Sequence, residues 1–235
     1  MTTPANITAP ISFGLDVTKP GKLETRSTGD VLVDIQSGVW QEPVLRVRSL
    51  PHDSEEQKAA KKLLPYATWA GIFGYRANER LLQHSGQIGV DLDDLGEAKA
   101  VSTIQNAVAD RFCLAAFRSI RGEGVRLLFR IPPCSPENHA IAFEQVAEHV
   151  RNTYGCEVDE SGKDVSRASF VSFDRGLWLN PSADVLPIIL PVSHSGIGGD
   201  YSLCAICLWW TVGFDLLELV WTALRQHCAG VWRYG

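Results

Sequence analysis

Three acidic side chains follow a short apolar run in residues 87–94. Alternate side chains of an extended strand share a face, so Asp91 and Asp93 lie on one side and the apolar residues on the other. Two carboxylates on one face repel each other unless a cation lies between them, and carboxylate oxygens suit Mg²⁺ or Mn²⁺. The segment therefore predicts a divalent-metal site at the end of a strand. The simpler alternative is a strand that runs into an Asp-rich turn.

The composition is that of a globular protein. The chain has 235 residues, 45% of them hydrophobic, which is enough for one sizeable domain. A net charge of −5 argues against a protein that coats nucleic acid with a wholly basic surface. Six cysteines without a secretory leader predict a cytoplasmic location. The CxxC pair Cys204 and Cys207 has no second pair or His cluster after it to complete a zinc site.

Hydrophobic periodicity predicts the elements that would position the acids. Helices are expected at residues 30–39, 54–62, 98–108 and 143–154, and strands at residues 87–92, 112–117, 125–131 and 168–173. The first 30 residues are expected to form an irregular segment or an edge strand. From the acidic strand onward the order is β-α-β-β-α-β, and the right-handed crossover rule places the third strand between the first two. The sequence thus predicts an α+β fold with a ferredoxin/RRM-like core.

This topology would bring three separated segments to one edge of the sheet. They are the end of the acidic strand, the turn at residues 118–124, and residues 158–167 before the fourth strand. Acids, glycines and arginines would then meet at one place. Unrelated surface turns would not be expected to gather metal ligands and phosphate-binding cations together, so we expect a functional site at this edge.

The same segments resemble the archaeo-eukaryotic primase superfamily of primase-polymerases, and within it the VirE N-terminal-like branch of phage and mobile-element replication proteins. The resemblance rests on residues 64–73, 88–93, 117–124 and 158–181. It implies a metal-dependent DNA primase or nucleotidyltransferase that acts in replication with Mg²⁺ or Mn²⁺, a nucleoside triphosphate and a DNA template. The chain has no GxxxxGK[ST] phosphate loop, so a helicase partner would come from another chain.

The resemblance also implies roles for individual residues. Asp91, Asp93 and Asp159 would be the catalytic metal ligands, and Asp164 competes with Asp159 for the third position. Arg167 would contact the nucleotide. The implied chemistry is two-metal nucleotidyl transfer, in which the ions neutralise charge on the triphosphate.

The sequence departs from the superfamily just after the turn at residues 118–124. Many members carry His after the glycine turn, where this chain has Arg126 after Gly122 and Gly124. Arg does not exchange a proton near neutral pH, but it binds phosphate bidentately. The glycines, with Ser119 at the start of the turn, would let backbone N–H groups approach the same oxygens. Nucleotide binding would survive this change better than catalysis, so the alternative is a non-catalytic nucleic-acid-binding domain or a regulatory relic of a primase.

The expected division is an N-terminal α/β extension over residues 1–59 that packs on the core, a primase-polymerase-like core over 60–187, and an atypical apolar tail over 188–235. In the tail, residues 203–224 are about long enough to span a bilayer. Asp215 and Glu218 near the middle would each cost about 2.5–3.5 kcal/mol on membrane insertion. A buried or partner-covered helix is therefore the favoured prediction, and no membrane partner is expected.

Overall fold

The computed structural model describes residues 7–191, which belong to one compact unit. Within this range the helices are α1 Thr28–Ser37, α2 Gln41–Ser49, α3 Glu55–Lys62, α4 Gly96–Ala109 and α5 Pro136–Tyr154. The strands are β1 Pro10–Gly14, β2 Leu23–Ser27, β3 Tyr66–Thr68, β4 Gly71–Phe73, β5 Leu81–His84, β6 Gln87–Leu92, β7 Cys113–Arg118, β8 Val125–Arg130, β9 Ser169–Phe170 and β10 Trp178–Leu179. The fold is α+β, as the sequence predicts. The prediction for residues 203–224 lies outside the described residues.

The strands of the described range form two four-stranded sheets and a hairpin. The first sheet has the order β2-β1-β3-β9, the second has the order β10-β7-β8-β6, and β4 pairs with β5. In the second sheet β8 lies between β6 and β7 and is antiparallel to both. This confirms the predicted position of the third core strand. No helix in residues 7–191 is long and apolar enough to cross a membrane.

The predicted fourth strand at residues 168–173 is wrong in length and in partner. Only β9 is paired, and it lies beside β3 in the first sheet, with Tyr66 opposite Phe170. The pairing arises because β1 holds β3 on one side and leaves the other edge of β3 free. The fourth strand of the second sheet is instead β10, beside β7. Strand order therefore supports only part of the ferredoxin-like arrangement.

The N-terminal segment is more regular than the sequence predicts. β1 is an inner strand, antiparallel to both β2 and β3, and its Ile11 and Phe13 are buried. Helix α1 ends at Gly38, whose φ of 88° is the left-handed conformation that glycine adopts most easily. The Ser54 side chain caps α3 by accepting a hydrogen bond from the backbone of Gln57. Helices α1 and α3 thus lie close to the predicted ranges 30–39 and 54–62.

The second sheet is covered on both faces. Ile88, Val90 and Leu92 of β6 pack with apolar side chains of α4 and α5, and each is at most 1% exposed. On the opposite face, Leu128 packs in a second core with Trp69 and residues of the first sheet and α1. The predicted alternation of the acidic strand is therefore confirmed. Asp91 lies on the face of β6 that is directed towards the N-terminal half of the chain.

Candidate functional site

A charged pocket of about 240 Å³ lies at the end of β6, between the β7–β8 turn and the segment that leads into β9. Its lining comes from several separated parts of the chain. We define the charged pocket by its polar lining residues, which are Lys61, Arg76, Asp91, Asp93, Ser119, Arg121, Arg126, Asp159, Asp164 and Arg167. Of the nine residues predicted for the site, the structure places all but Gly122 and Gly124 in this lining.

Asp91 and Arg126 form a closed ion pair in the wall of the pocket. The two residues are directly opposite in the β6–β8 register. Arg126 Nε donates to Asp91 Oδ1 at 2.6 Å and Nη2 donates to Oδ2 at 3.0 Å. The remaining Nη1 donates to the carbonyl oxygen of Phe170 at 2.9 Å. Each guanidinium nitrogen of Arg126 thus has an acceptor, and both oxygens of Asp91 have a donor.

Among the described pocket acids, Asp93 is the carboxylate whose charge is least neutralised by nearby cations and hydrogen-bond donors. Burial raises the pKa of Asp93, and the neighbouring Asp91 raises it further, whereas Arg121 opposes the shift. Arg121 Nη2 lies 3.8 Å from an Asp93 oxygen, and its Nη1 instead donates to Asp53 at 3.0 Å. A carboxylate whose pKa is raised by burial and by a second acid gains from a nearby cation. Asp93 is therefore the best placed of the pocket acids to hold one.

Asp159 and Asp164 belong to the segment that crosses the end of β6. The Asp159 backbone N–H donates to the Asp91 carbonyl oxygen at 3.0 Å, which fixes this segment beside the strand. Burial alone would raise the pKa of Asp159, but hydrogen bonds from the Ser161 hydroxyl and amide bring it below its ordinary value. Asp164 accepts in the same way from the hydroxyl and amide of Ser166. Both carboxylates are already partly satisfied by local turns.

The N–H groups of the turn glycines have hydrogen-bond partners within the turn. The N–H of Gly122 donates to the Ser119 carbonyl oxygen and the N–H of Gly124 donates to the Ser119 hydroxyl, so both are engaged within the turn. A Cβ on Gly124 would lie 2.4 Å from the carbonyl oxygen of Leu92. Gly124 is therefore needed for close approach of the turn to β6, and Gly122 has a φ of 86°. The contact of their N–H groups with phosphate stays a prediction.

Sequence reasoning missed Lys61 as a site residue and placed it only within the helix expected at residues 54–62. It lies in the last turn of α3, with its ammonium 5.5 Å from the centre of the Phe170 ring. Burial lowers its pKa, and the nearby Arg121 and Arg126 lower it further. Among the residues that the structure describes, Lys61 has no ion-pair partner. Its ammonium is therefore free to bind an anion in the pocket. Its place in the pocket lining depends on how α3 packs, which the sequence does not show.

The acids of the charged pocket have the oxygen chemistry of a hard-cation site, but the three predicted ligands do not converge on one point. Within residues 7–191, Asp91, Asp93 and Asp159 do not form a group whose ligand oxygens all lie within 4.8 Å of one another. The guanidinium of Arg126 already neutralises Asp91. Carboxylate oxygens are the donors that Mg²⁺ and Mn²⁺ prefer, so Asp93 and Asp159 have the chemistry to hold an ion of this class. The two-metal arrangement stays a prediction.

Comparison with known families gives one match. Residues 58–178, just over half of the chain, match the family described as BT4734-like, N-terminal domain. The matched range contains Lys61 and every residue that the sequence predicted for the site. Comparisons with curated proteins and with solved structures returned no match.

Proposed function

The chain belongs to the BT4734-like N-terminal domain family, and we propose that its charged pocket binds a nucleoside triphosphate together with one Mg²⁺ or Mn²⁺ ion. The observation that carries the proposal is the convergence of seven predicted residues on one pocket. Phosphate recognition needs cations, and a metal–nucleotide complex also needs a carboxylate. The pocket offers both.

Each side chain has a distinct part in the proposal. Lys61 and Arg167 would contact phosphate oxygens. Within residues 7–191, Lys61 has no ion pair and the ion pair of Arg167 is a 3.6 Å contact with Asp159. Asp93 would hold the ion, which would neutralise charge on the triphosphate. Arg126 would remain on Asp91 as a fixed positive charge. In this arrangement the domain is a primase-polymerase-like nucleotide-binding domain that serves replication of a phage or mobile element on a DNA template.

A second candidate is a non-catalytic relic of such a primase, and the Asp91–Arg126 pair favours it. A bidentate guanidinium occupies the carboxylate that would be the first catalytic ligand. If this pair persists with nucleotide bound, the chain would bind a triphosphate without extending a primer. The two candidates share the binding step and differ in catalysis.

The binding step is tested by titrating a deoxynucleoside triphosphate into the protein calorimetrically, with and without Mn²⁺. Hydrogen bonds to charged groups are worth about 1.5–3 kcal/mol, so Lys61→Ala should weaken binding by about ten- to a hundredfold. Lys62→Ala is the matched control, since Lys62 is exposed, lies next to Lys61 on α3 and does not line the pocket. Equal affinities for the two variants, or no binding by the parent, would contradict the proposal.

The catalytic step is tested separately with a primed DNA template and Mn²⁺. Incorporation of nucleotide by the parent but not by Asp93→Ala favours the primase-polymerase. Triphosphate binding without incorporation, at the same protein concentration, favours the non-catalytic relic.

A further inference from the structure

A second group of metal-ligating side chains lies outside the charged pocket. His84 is the last residue of β5, Cys134 lies in the loop after β8, and His139 is in the first turns of α5. One ligand atom from each residue lies within 4.8 Å of the other two. We call these three residues the His–Cys cluster. His84 and His139 are 8% and 2% exposed, and Cys134 is partly exposed and is not in a disulfide.

Two of the three ligand-atom distances in the cluster match the edges of a tetrahedral zinc site, and the third is within 4.8 Å. Zn–N bonds of about 2.0–2.1 Å and a Zn–S bond of about 2.3 Å place two nitrogens about 3.3 Å apart and a nitrogen and a sulfur about 3.6 Å apart. His84 Nε2 lies 3.2 Å from His139 Nδ1 and 3.6 Å from Cys134 Sγ. These distances do not require the backbone to move for the ligands to meet one ion.

The surroundings orient the rings for coordination. His139 Nε2 lies 3.3 Å from the carbonyl oxygen of Gly162 and donates its proton there, which leaves Nδ1 with a free lone pair. Metal ligation needs an imidazole nitrogen that carries no proton, and the hydrogen bond that His84 Nδ1 accepts from the Gly86 N–H shows such a nitrogen in His84. Imidazole and thiolate ligands suit Zn²⁺, whereas Mg²⁺ and Mn²⁺ prefer oxygen.

We propose that His84, Cys134 and His139 bind one zinc ion, with water in the fourth position. The ion would tie the end of β5 and the loop after β8 to the start of α5. Through the Gly162 contact of His139 it would also steady the turn between Asp159 and Asp164, which carries two acids of the charged pocket. The site shares no residue with the proposed nucleotide site, so zinc binding can be tested without nucleotide.

Zinc loading has a defined proton balance. The Cys134 thiol loses its proton to solvent as the Zn–S bond forms. His84 coordinates through Nε2 and carries its proton on Nδ1, so the hydrogen bond that the Gly86 N–H now donates to Nδ1 at 3.0 Å has to open. His139 keeps its proton on Nε2. One proton is therefore released for each ion bound.

The alternative is a metal-free chain of hydrogen bonds. Gly86 N–H would donate to His84, His84 would donate to His139, and His139 would donate to the Gly162 carbonyl oxygen. This chain satisfies both neutral rings and leaves Cys134 as a protonated thiol 3.6 Å from His84 Nε2. The thiolate is therefore the feature that separates the two states experimentally.

The test uses the full chain in its reduced form and titrates it with Co²⁺, which takes the place of zinc and is coloured. The expected result is a thiolate-to-cobalt charge-transfer band that saturates at one equivalent, and displacement of the cobalt by Zn²⁺. Calorimetry in buffers of different ionisation enthalpy should show release of one proton per ion. Cys134→Ser should abolish the band and weaken zinc binding by more than about a hundredfold, since loss of a supporting contact alone costs about 10–100-fold.

Two controls assign the site. Cys156→Ser removes a buried free thiol that is not in the cluster and should leave the band unchanged. The double variant Cys204→Ser/Cys207→Ser should also keep it, because the CxxC pair is not part of the cluster. A band that survives Cys134→Ser, a band that disappears with the CxxC pair, or a parent that binds no cobalt would overturn the proposal. Circular dichroism of each metal-free variant shows whether the fold is intact, and His139→Gln provides a second ligand change if Cys134→Ser is unstable.

Discussion

Replacing Arg126 with Met should destabilise the protein strongly, because it leaves a partly buried carboxylate without a partner. Met keeps the apolar stem of the side chain and removes the guanidinium that pairs with Asp91. The Arg126 side chain is 8% exposed and that of Asp91 is 22% exposed. The change also leaves the carbonyl oxygen of Phe170 without the donor seen here.

The magnitude follows from the burial of the pair. Removing one partner of a fully buried ion pair costs about 3–5 kcal/mol. Water from the charged pocket reaches Asp91, so we expect Arg126→Met to lower the free energy of unfolding by about 2–4 kcal/mol. For a domain of this size the melting temperature should fall by about 4–16 °C. The expected loss is a large part of a total stability of about 5–15 kcal/mol.

The assay is urea denaturation at neutral pH, followed by circular dichroism. Arg130→Met is the matched control, because Arg130 lies on the same face of β8 and donates to the Ala183 carbonyl oxygen at 2.7 Å. It has no ion pair with a described residue, so its loss should cost about 0.5–1.5 kcal/mol. If Arg126→Met lowers the free energy of unfolding by no more than Arg130→Met does, the Asp91–Arg126 pair does not stabilise the second sheet as argued.

A double variant and added metal sharpen the test. Asp91→Leu with Arg126→Met replaces both charges with apolar groups, and such replacements are often nearly neutral. The double variant should therefore be more stable than Arg126→Met alone. Mn²⁺ should raise the melting temperature of Arg126→Met more than that of the parent, because the ion can neutralise the Asp91 carboxylate that the guanidinium leaves. Equal responses to Mn²⁺ would contradict the view that Arg126 acts as a resident cation.

Two further changes probe the acidic strand. Asp93→Asn should stabilise the metal-free protein at neutral pH, because the raised pKa of Asp93 means that the folded state disfavours its ionised form. The free energy of unfolding of the parent should fall as the pH rises from the pKa of Asp93 in the unfolded state to its pKa in the folded state, and below both pKa values the Asn variant should have no advantage. Urea denaturation of the parent and the variant across this pH range measures the difference. A parent that gains stability relative to the variant as the pH rises would refute the argument. Val90→Asp should abolish cooperative unfolding, because Val90 is fully buried and the new carboxylate would have no partner; an unchanged melting temperature would show that the two faces of β6 are assigned wrongly.

Much of the local structure follows from the sequence alone. Alternation in residues 87–92 identifies the buried and polar faces of β6, because side chains of a strand alternate whatever they pack against. Ser54 and Gly38 mark helix ends through contacts with backbone groups a few residues away. The start of α5 was set too late, at residue 143, although Ser135 and Pro136 form a recognisable helix start. The predicted helix therefore leaves out His139, which lies in the first turns of α5.

The tertiary structure decided which distant groups meet. Residues 169–170 pair with β3 rather than β6, because the N-terminal hairpin leaves the edge of β3 free. The sequence of β9 contains no sign of this choice. The β6–β8 register sets Arg126 opposite Asp91, which turns an expected metal ligand into half of an ion pair. The packing of α3 brings Lys61 into the pocket. Caps and alternation depend on neighbours in the chain, whereas these pairings depend on which edges and faces remain open after the rest of the chain has packed.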